Sequence, residues 1–282
     1  MSTRTRTRTS ANSRTRIRTR YIATCLANLA WFSPLAALAA PDDAIATDRP
    51  DFVESSNVVG RARFQIETSV LAERGNSDAL HARTFSTPTL LRYGIGETLE
   101  LRLETDGRLH EEVDLPGTNG RRASNGYADT SLGLKWHLLD DAPGLPSVGL
   151  LLHADLASGS SSFRGQGVRP SLRLVGEWEL PGGLNLGVMP GLGVDRNDAG
   201  AHTGYGIFGI VLGKELTPVL RGFVEVAAPR IARLANGGTV ATFDTGAAWL
   251  LSERCQLDAM VSFGLNRRSP SRALTVGFSF KL

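Results

Sequence analysis

Apolar and polar positions alternate with a period of two along most of this chain. The pattern is cleanest at 272–282. Leu274, Val276, Phe278, Phe280 and Leu282 fall on one side, and Ala273, Thr275, Gly277, Ser279 and Lys281 on the other. A period of two predicts a β-strand with one apolar and one small or polar face. The same grammar recurs from residue 61 onward. Leu99, Leu101 and Leu103 oppose Glu100, Arg102 and Glu104; Leu132, Leu134 and Trp136 oppose Gly133, Lys135 and His137; Leu257, Ala259 and Val261 oppose Asp258 and Ser262. The stretch 83–93 is weaker and contains Pro88, and the facing of the Gly-rich stretch 204–215 is ambiguous. About twelve strands result, each of about 9–14 residues, the length of tilted membrane strands.

The connections alternate as well. Short ones fall at 94–96, 181–183, 216–218 and 252–254. Longer ones fall at 75–82, 106–125, 157–167, 196–203, 229–238 and 266–271, with 140–146 of middling length. Short periplasmic turns and long outer loops are the pattern of an outer-membrane barrel, and an even strand count places both ends of the sheet in the periplasm. The expected fold is therefore all-β: an antiparallel, transmembrane, up-and-down β-barrel at 61–282. A soluble sandwich or lipocalin-like barrel is the competing fold. It would turn the apolar face inward and leave a charged second face to water.

Composition changes the picture at the N-terminus. Seven arginines are the only charges before residue 41, and an apolar run from 21 to 39 ends in Ala37-Leu38-Ala39. A basic start, an apolar middle and a small-x-small ending predict a cleaved signal peptide at 1–39, rather than a retained anchor. The chain carries 31 Lys+Arg against 28 Asp+Glu; without those seven arginines 24 basic residues remain. The mature chain is then slightly acidic, which removes any basis for nucleic-acid binding. Cys255 would be the one remaining cysteine, so a disulfide scaffold is excluded.

Cost assigns the faces. Arg or Lys on a barrel's lipid face costs about 2–4 kcal/mol at the midplane. Glu100, Arg102, Glu104, Lys135, Arg173, Glu177, Arg221, Glu225 and Asp258 are therefore expected to line the interior. Before the first strand lies a polar, periplasmic lead-in, 40–60, whose Asp48-Arg49-Pro50-Asp51 could enter or plug the periplasmic mouth. Its acids could hold Arg49 in an ion-pair cluster, or Pro50 could simply set a solvated turn.

At that point the sequence resembles a known family. Asp48, Arg49, Pro50 and Asp51, followed by Ser55, Val58, Gly60, Phe64, Gln65 and Glu67, resemble the opening of the bacterial family labelled "putative MetA-pathway of phenol degradation". Residues 129–136, 243–246, 256–258 and 264–266 are similar to later parts of it. The resemblance implies an outer-membrane, porin-like barrel for passive uptake of small organic molecules, aromatic ones among them. The implied partners are the bilayer, the outer-membrane assembly machinery and the solute.

No cofactor or metal motif is present, and no enzyme is expected. Two alternatives stand beside the channel. The first is a barrel hydrolase, with His153 and Asp155 on one strand face and a loop serine from 160–162. The second is a structural barrel with a filled lumen. Glu111, Glu112 and Asp114 form a short acidic run in the longest expected loop, either a calcium site or a solvated face.

Overall fold

The computed structural model describes residues 44–77, 80–114, 120–196 and 200–282. The expected signal peptide lies outside the described residues. The described chain forms one antiparallel sheet of fifteen strand segments that closes on itself. These are β1 (Phe64–Ser77), β2 (Leu80–Ser86), β3 (Thr89–Gly94), β4 (Leu99–Thr105), β5 (Arg108–Asp114), β6 (Arg121–Tyr127), β7 (Thr130–Leu139) and β8 (Ser147–Leu156). There follow β9 (Arg169–Leu180), β10 (Leu184–Arg196), β11 (His202–Thr217), β12 (Leu220–Ile231), β13 (Val240–Ser252), β14 (Cys255–Gly264) and β15 (Arg272–Lys281).

Fifteen segments make twelve passes, because three passes are broken midway. Between β2 and β3 the break is at Thr87-Pro88, where proline has no N–H to give to the ladder. Between β4 and β5 it is at Asp106-Gly107, with Gly107 at φ +66°. Between β6 and β7 it is at Ala128-Asp129. Below the breaks, β3, β4 and β7 belong to the barrel wall. Above them, β1 pairs with β2, β2 with β5 and β5 with β6, extending the wall past the rim.

This extension corrects one expectation. The stretch 106–125 was expected to be the longest loop, yet most of it is strand. Leu109 and Val113 alternate with His110 and Glu112, but too few apolar residues stand there to signal a strand from sequence. Likewise, β1 and β2 run on through 75–77 and 80–82, so that connection is shorter than expected.

Closure rests on β15. It pairs with β1 from Gln65↔Lys281 to Arg74↔Arg272, an unbroken ladder along the whole of β15. The alternation then sorts the side chains. Leu101, Leu103, Leu132, Leu152, Leu174, Leu212, Val224, Leu274 and Val276 are exposed on the outer surface. Gln65, Glu67, Arg92, Glu100, Lys135 and Ser279 are fully buried within. Tyr93, Trp136 and Trp249 mark the outer face near the tight turns, and Phe243 and Phe263 mark it near the long loops. Two such aromatic levels bounding an apolar band are the signature of a barrel in a bilayer. In β11, where the facing was ambiguous, Ile207 and Val211 point inward while Phe208, Ile210 and Leu212 face out.

The interior is not uniformly polar. Val53, Leu151, Val175, Met189, Val211 and Phe223 form a buried apolar cluster, against which Phe52 and Met260 pack.

Leu132→Arg would place a guanidinium on the outer face above Trp136. It should destabilise the refolded barrel by about 2–4 kcal/mol, measured by urea unfolding in liposomes. A change indistinguishable from zero would mean that Leu132 does not face hydrocarbon.

Candidate functional site

Residues 44–59 run inside the barrel. At the tight-turn end, the Ile45 amide donates to the Glu253 carbonyl at 2.7 Å. The chain returns to the same end before β1, where the Ala62 amide donates to the Gly94 carbonyl at 2.8 Å. Between these points the segment is held on all sides by wall residues.

Asp48 is its anchor. One carboxylate oxygen lies 2.6 Å from Arg102 Nη1 and 3.3 Å from Arg92 Nη1, and the other accepts from Lys135 Nζ at 2.7 Å. Three further charged residues of the segment tie down the rest. Glu54 lies 2.6 Å from both Arg102 Nη2 and Arg173 Nη1. Asp51 bonds Arg221 Nη2 at 2.7 Å, and Arg49 reaches Asp258 at 3.4 Å.

Wall carboxylates bind the segment's backbone as well. Glu225 accepts from the Phe52 and Val53 amides, each at 2.8 Å. Glu177 accepts from the Ser56 amide at 2.6 Å, and Glu100 from the Val59 amide at 2.9 Å. Glu67 accepts from the Asp48 amide at 3.0 Å, and Gln65 Nε2 donates to the Ala46 carbonyl at 2.9 Å. Arg92 bridges Glu67 and Glu100 at 3.0 and 2.8 Å, beneath the segment. Val53 also drops into the apolar cluster. A Cβ on Gly209 would come within 2.6 Å of Val53 Cγ2, so glycine there makes the notch that admits it.

Eight of the nine wall residues expected at the interior therefore contact this one segment. The ninth, Glu104, bonds Arg102 at 2.8 Å and His153 Nε2 at 2.9 Å. Arg92 and Glu54 were missed from sequence. Arg92 lies on β3, where Pro88 weakens the alternation. Its position opposite the outward Leu91 and Tyr93 was the available signal.

Above the segment lies a cavity of about 580 Å³, on the long-loop side. Asp48, Asp51, Phe52 and Glu54 contribute to its lining, together with Arg102, Glu104, Asp155, Arg169 and Arg173. Leu90, Leu109 and Phe163 add an apolar wall. The connection 157–168 reaches over it and is moored by Asp129. The carboxylate there accepts from the Gly159 and Gly165 amides at 2.7 and 2.8 Å, and from Arg169 Nη2 at 2.7 Å.

A family model described as "Putative MetA-pathway of phenol degradation" matches residues 47–282. The chain belongs to that family. No protein with a curated description matches it. Among solved structures, the COG4313 outer membrane channel from Pseudomonas putida F1 is similar at 11% identity and a TM-score of 0.58, over 83% of this chain and 99% of that one. The β domain of the Bordetella autotransporter BrkA is similar at 12% identity and a TM-score of 0.52, over 77% of this chain and 98% of that one. Both likenesses establish the fold alone, a closed antiparallel β-barrel.

In this family member the remaining candidates fall as follows. His153 bonds Glu104, and its ring makes no hydrogen bond to a serine or to Asp155 among the described residues. Ser160 Oγ instead accepts from the Tyr127 amide at 2.9 Å. Glu54, Glu104 and His153 bring possible metal-ligand atoms within 4.8 Å of one another. Arg102 and Arg173 already neutralise those two carboxylates, which is poor company for a cation. In the acidic run, Asp114 pairs with Arg121 at 2.9 Å and Glu112 with the same guanidinium at 3.6 Å.

Asp48→Ala would leave Lys135 and Arg102 facing an uncompensated cavity. Breaking a buried ion pair costs about 3–5 kcal/mol, which should unseat the segment and expose it to chymotrypsin at Phe52. Asp48→Ala with Lys135→Ala should cost less than the sum of the two single changes. Strict additivity would show that the pair does not hold the segment.

Proposed function

We propose that this protein is a passive outer-membrane channel for small organic molecules, closed at rest by residues 44–59. The supporting observation is the position of Asp48 among Arg92, Arg102 and Lys135 in the lumen, between the outer cavity and the periplasmic mouth. A covalent plug held by reversible ion pairs can leave and return, whereas a hydrophobic core cannot open so readily.

The cavity supports the solute class. Its volume of about 580 Å³ suits a molecule of modest size. Phe52, Leu90, Leu109 and Phe163 offer an apolar wall, while Arg169 and Arg173 offer donors for a carboxylate or phenolate. Small aromatic acids and phenols match both features. The family description, which names phenol degradation, is consistent with that chemistry. The wall charges from Glu100 to Asp258 would form the pathway once the segment moves. Substrate would pass without covalent change, so neither enzyme chemistry nor a cofactor is required.

The tight fit of the segment also favours a second reading, a structural barrel whose lumen stays filled. Planar-bilayer conductance of residues 40–282 separates the two readings. The channel reading expects small, infrequent openings, reduced by aromatic acids, and a steady larger conductance when residues 41–57 are deleted. A folded, heat-modifiable barrel that stays silent in both forms would leave the structural reading standing.

A further inference from the structure

The outer surface carries a feature that solute passage does not use. On the ladder β15–β1–β2, Arg272 stands opposite Arg74, and Arg74 stands opposite Arg83. All three are exposed and share the outward face with Leu274 and Phe85. Side chains directly opposite on one face lie about 5 Å apart, and like charges so placed repel. None of the three makes an ion pair or side-chain hydrogen bond with another described residue. The nearest acid along the row is Glu112, opposite Arg83, and it is shared by Arg121 and His110. Three like charges in register favour an added anion, beside the one carboxylate, Glu112, at the end of their row.

The level of the row says where that anion comes from. From Phe64 to Arg74, β1 climbs about 25 Å at about 3.3 Å per residue and a tilt of about 40°, the height of a barrel's apolar band. Phe263, in the upper aromatic level, is the register partner of Arg272. The arginines thus sit where lipid headgroups begin. Directly beneath them runs the row Val261, Leu274, Ala72 and Phe85. Ala72 is the small member between two large ones, and it opens a groove of about 640 Å³ lined by both rows. A cationic rim over an apolar groove complements a molecule with phosphate above acyl chain.

We propose that this groove binds a phosphorylated glycolipid of the outer leaflet, with its phosphate on Arg74, Arg83 and Arg272 and an acyl chain against Leu274, Ala72 and Phe85. Such a lipid would clamp β15, β1 and β2 together at the seam where the barrel closes. Juxtamembrane basic clusters recognise anionic lipid headgroups in this way.

Native mass spectrometry of the refolded mature protein tests it, with bis-phosphorylated lipid A, its dephosphorylated form and inorganic phosphate as probes. Lipid A should bind the wild type. The combined change Arg74→Gln, Arg83→Gln and Arg272→Gln should weaken binding on the order of a hundredfold. Heat-modifiability and conductance should stay as in wild type. Arg61→Gln, at the opposite rim, should bind as wild type. If the triple variant does not fold, Arg83→Gln alone should weaken binding about fivefold. Equal binding of the dephosphorylated form would overturn the proposal, as would unchanged binding by the arginine variants. Competition by inorganic phosphate at the lipid's own concentration would also overturn it, by showing a free-anion site.

Discussion

Asp48 meets three cations inside the barrel: Arg102 at 2.6 Å, Lys135 at 2.7 Å and Arg92 at 3.3 Å. The rest of the interior depends on that contact. Arg92, Arg102 and Lys135 are buried almost completely, and a buried charge without a partner costs several kcal/mol. The wall supplies part of the compensation through Glu67 and Glu100. The remainder comes from the incoming segment, so the segment completes the electrostatics of the lumen. Charges that a membrane barrel must turn away from lipid become, by that same exclusion, the receptor for residues 44–59.

Ionic and apolar contacts divide the work of seating the segment. Ion pairs at Asp48, Asp51 and Glu54 are strong when dry and yield to water. Val53, set into a glycine-lined notch beside Val211 and Phe223, adds shape to the fit. Wall carboxylates on the backbone amides of Phe52, Val53, Ser56 and Val59 set its path whatever those side chains are. A segment held mainly by polar contacts suits a structure that opens and recloses. The outer cavity is floored by the same Asp48, Phe52 and Glu54, so a solute bound there would touch the seated segment.

The outer surface follows a different rule. Lipid asks only for apolar side chains between two aromatic levels, and β1 to β15 meet that demand with leucine and valine. Where the rule ends, at the Arg272–Arg74–Arg83 row, the surface changes from solvating hydrocarbon to recognising a headgroup. The three breaks at Thr87-Pro88, Asp106-Gly107 and Ala128-Asp129 let the wall continue above the membrane without continuing the barrel.

Much of this was legible in the residues alone. Period-two alternation is a local property, so Leu274, Val276 and Phe278 declared a strand and its faces without reference to any partner. The cost of charge in hydrocarbon then assigned Glu100, Arg102, Lys135 and Glu225 to the interior. The β5–β6 extension stayed hidden because its strands bury little, and their pairing is decided by neighbours distant in sequence. The Asp48 segment likewise showed its charges but not their destination, solvated turn or seated plug. A strand's period is written within ten residues. The meeting of Asp48 with Lys135, 87 positions later, exists only once twelve passes have closed a cylinder around it.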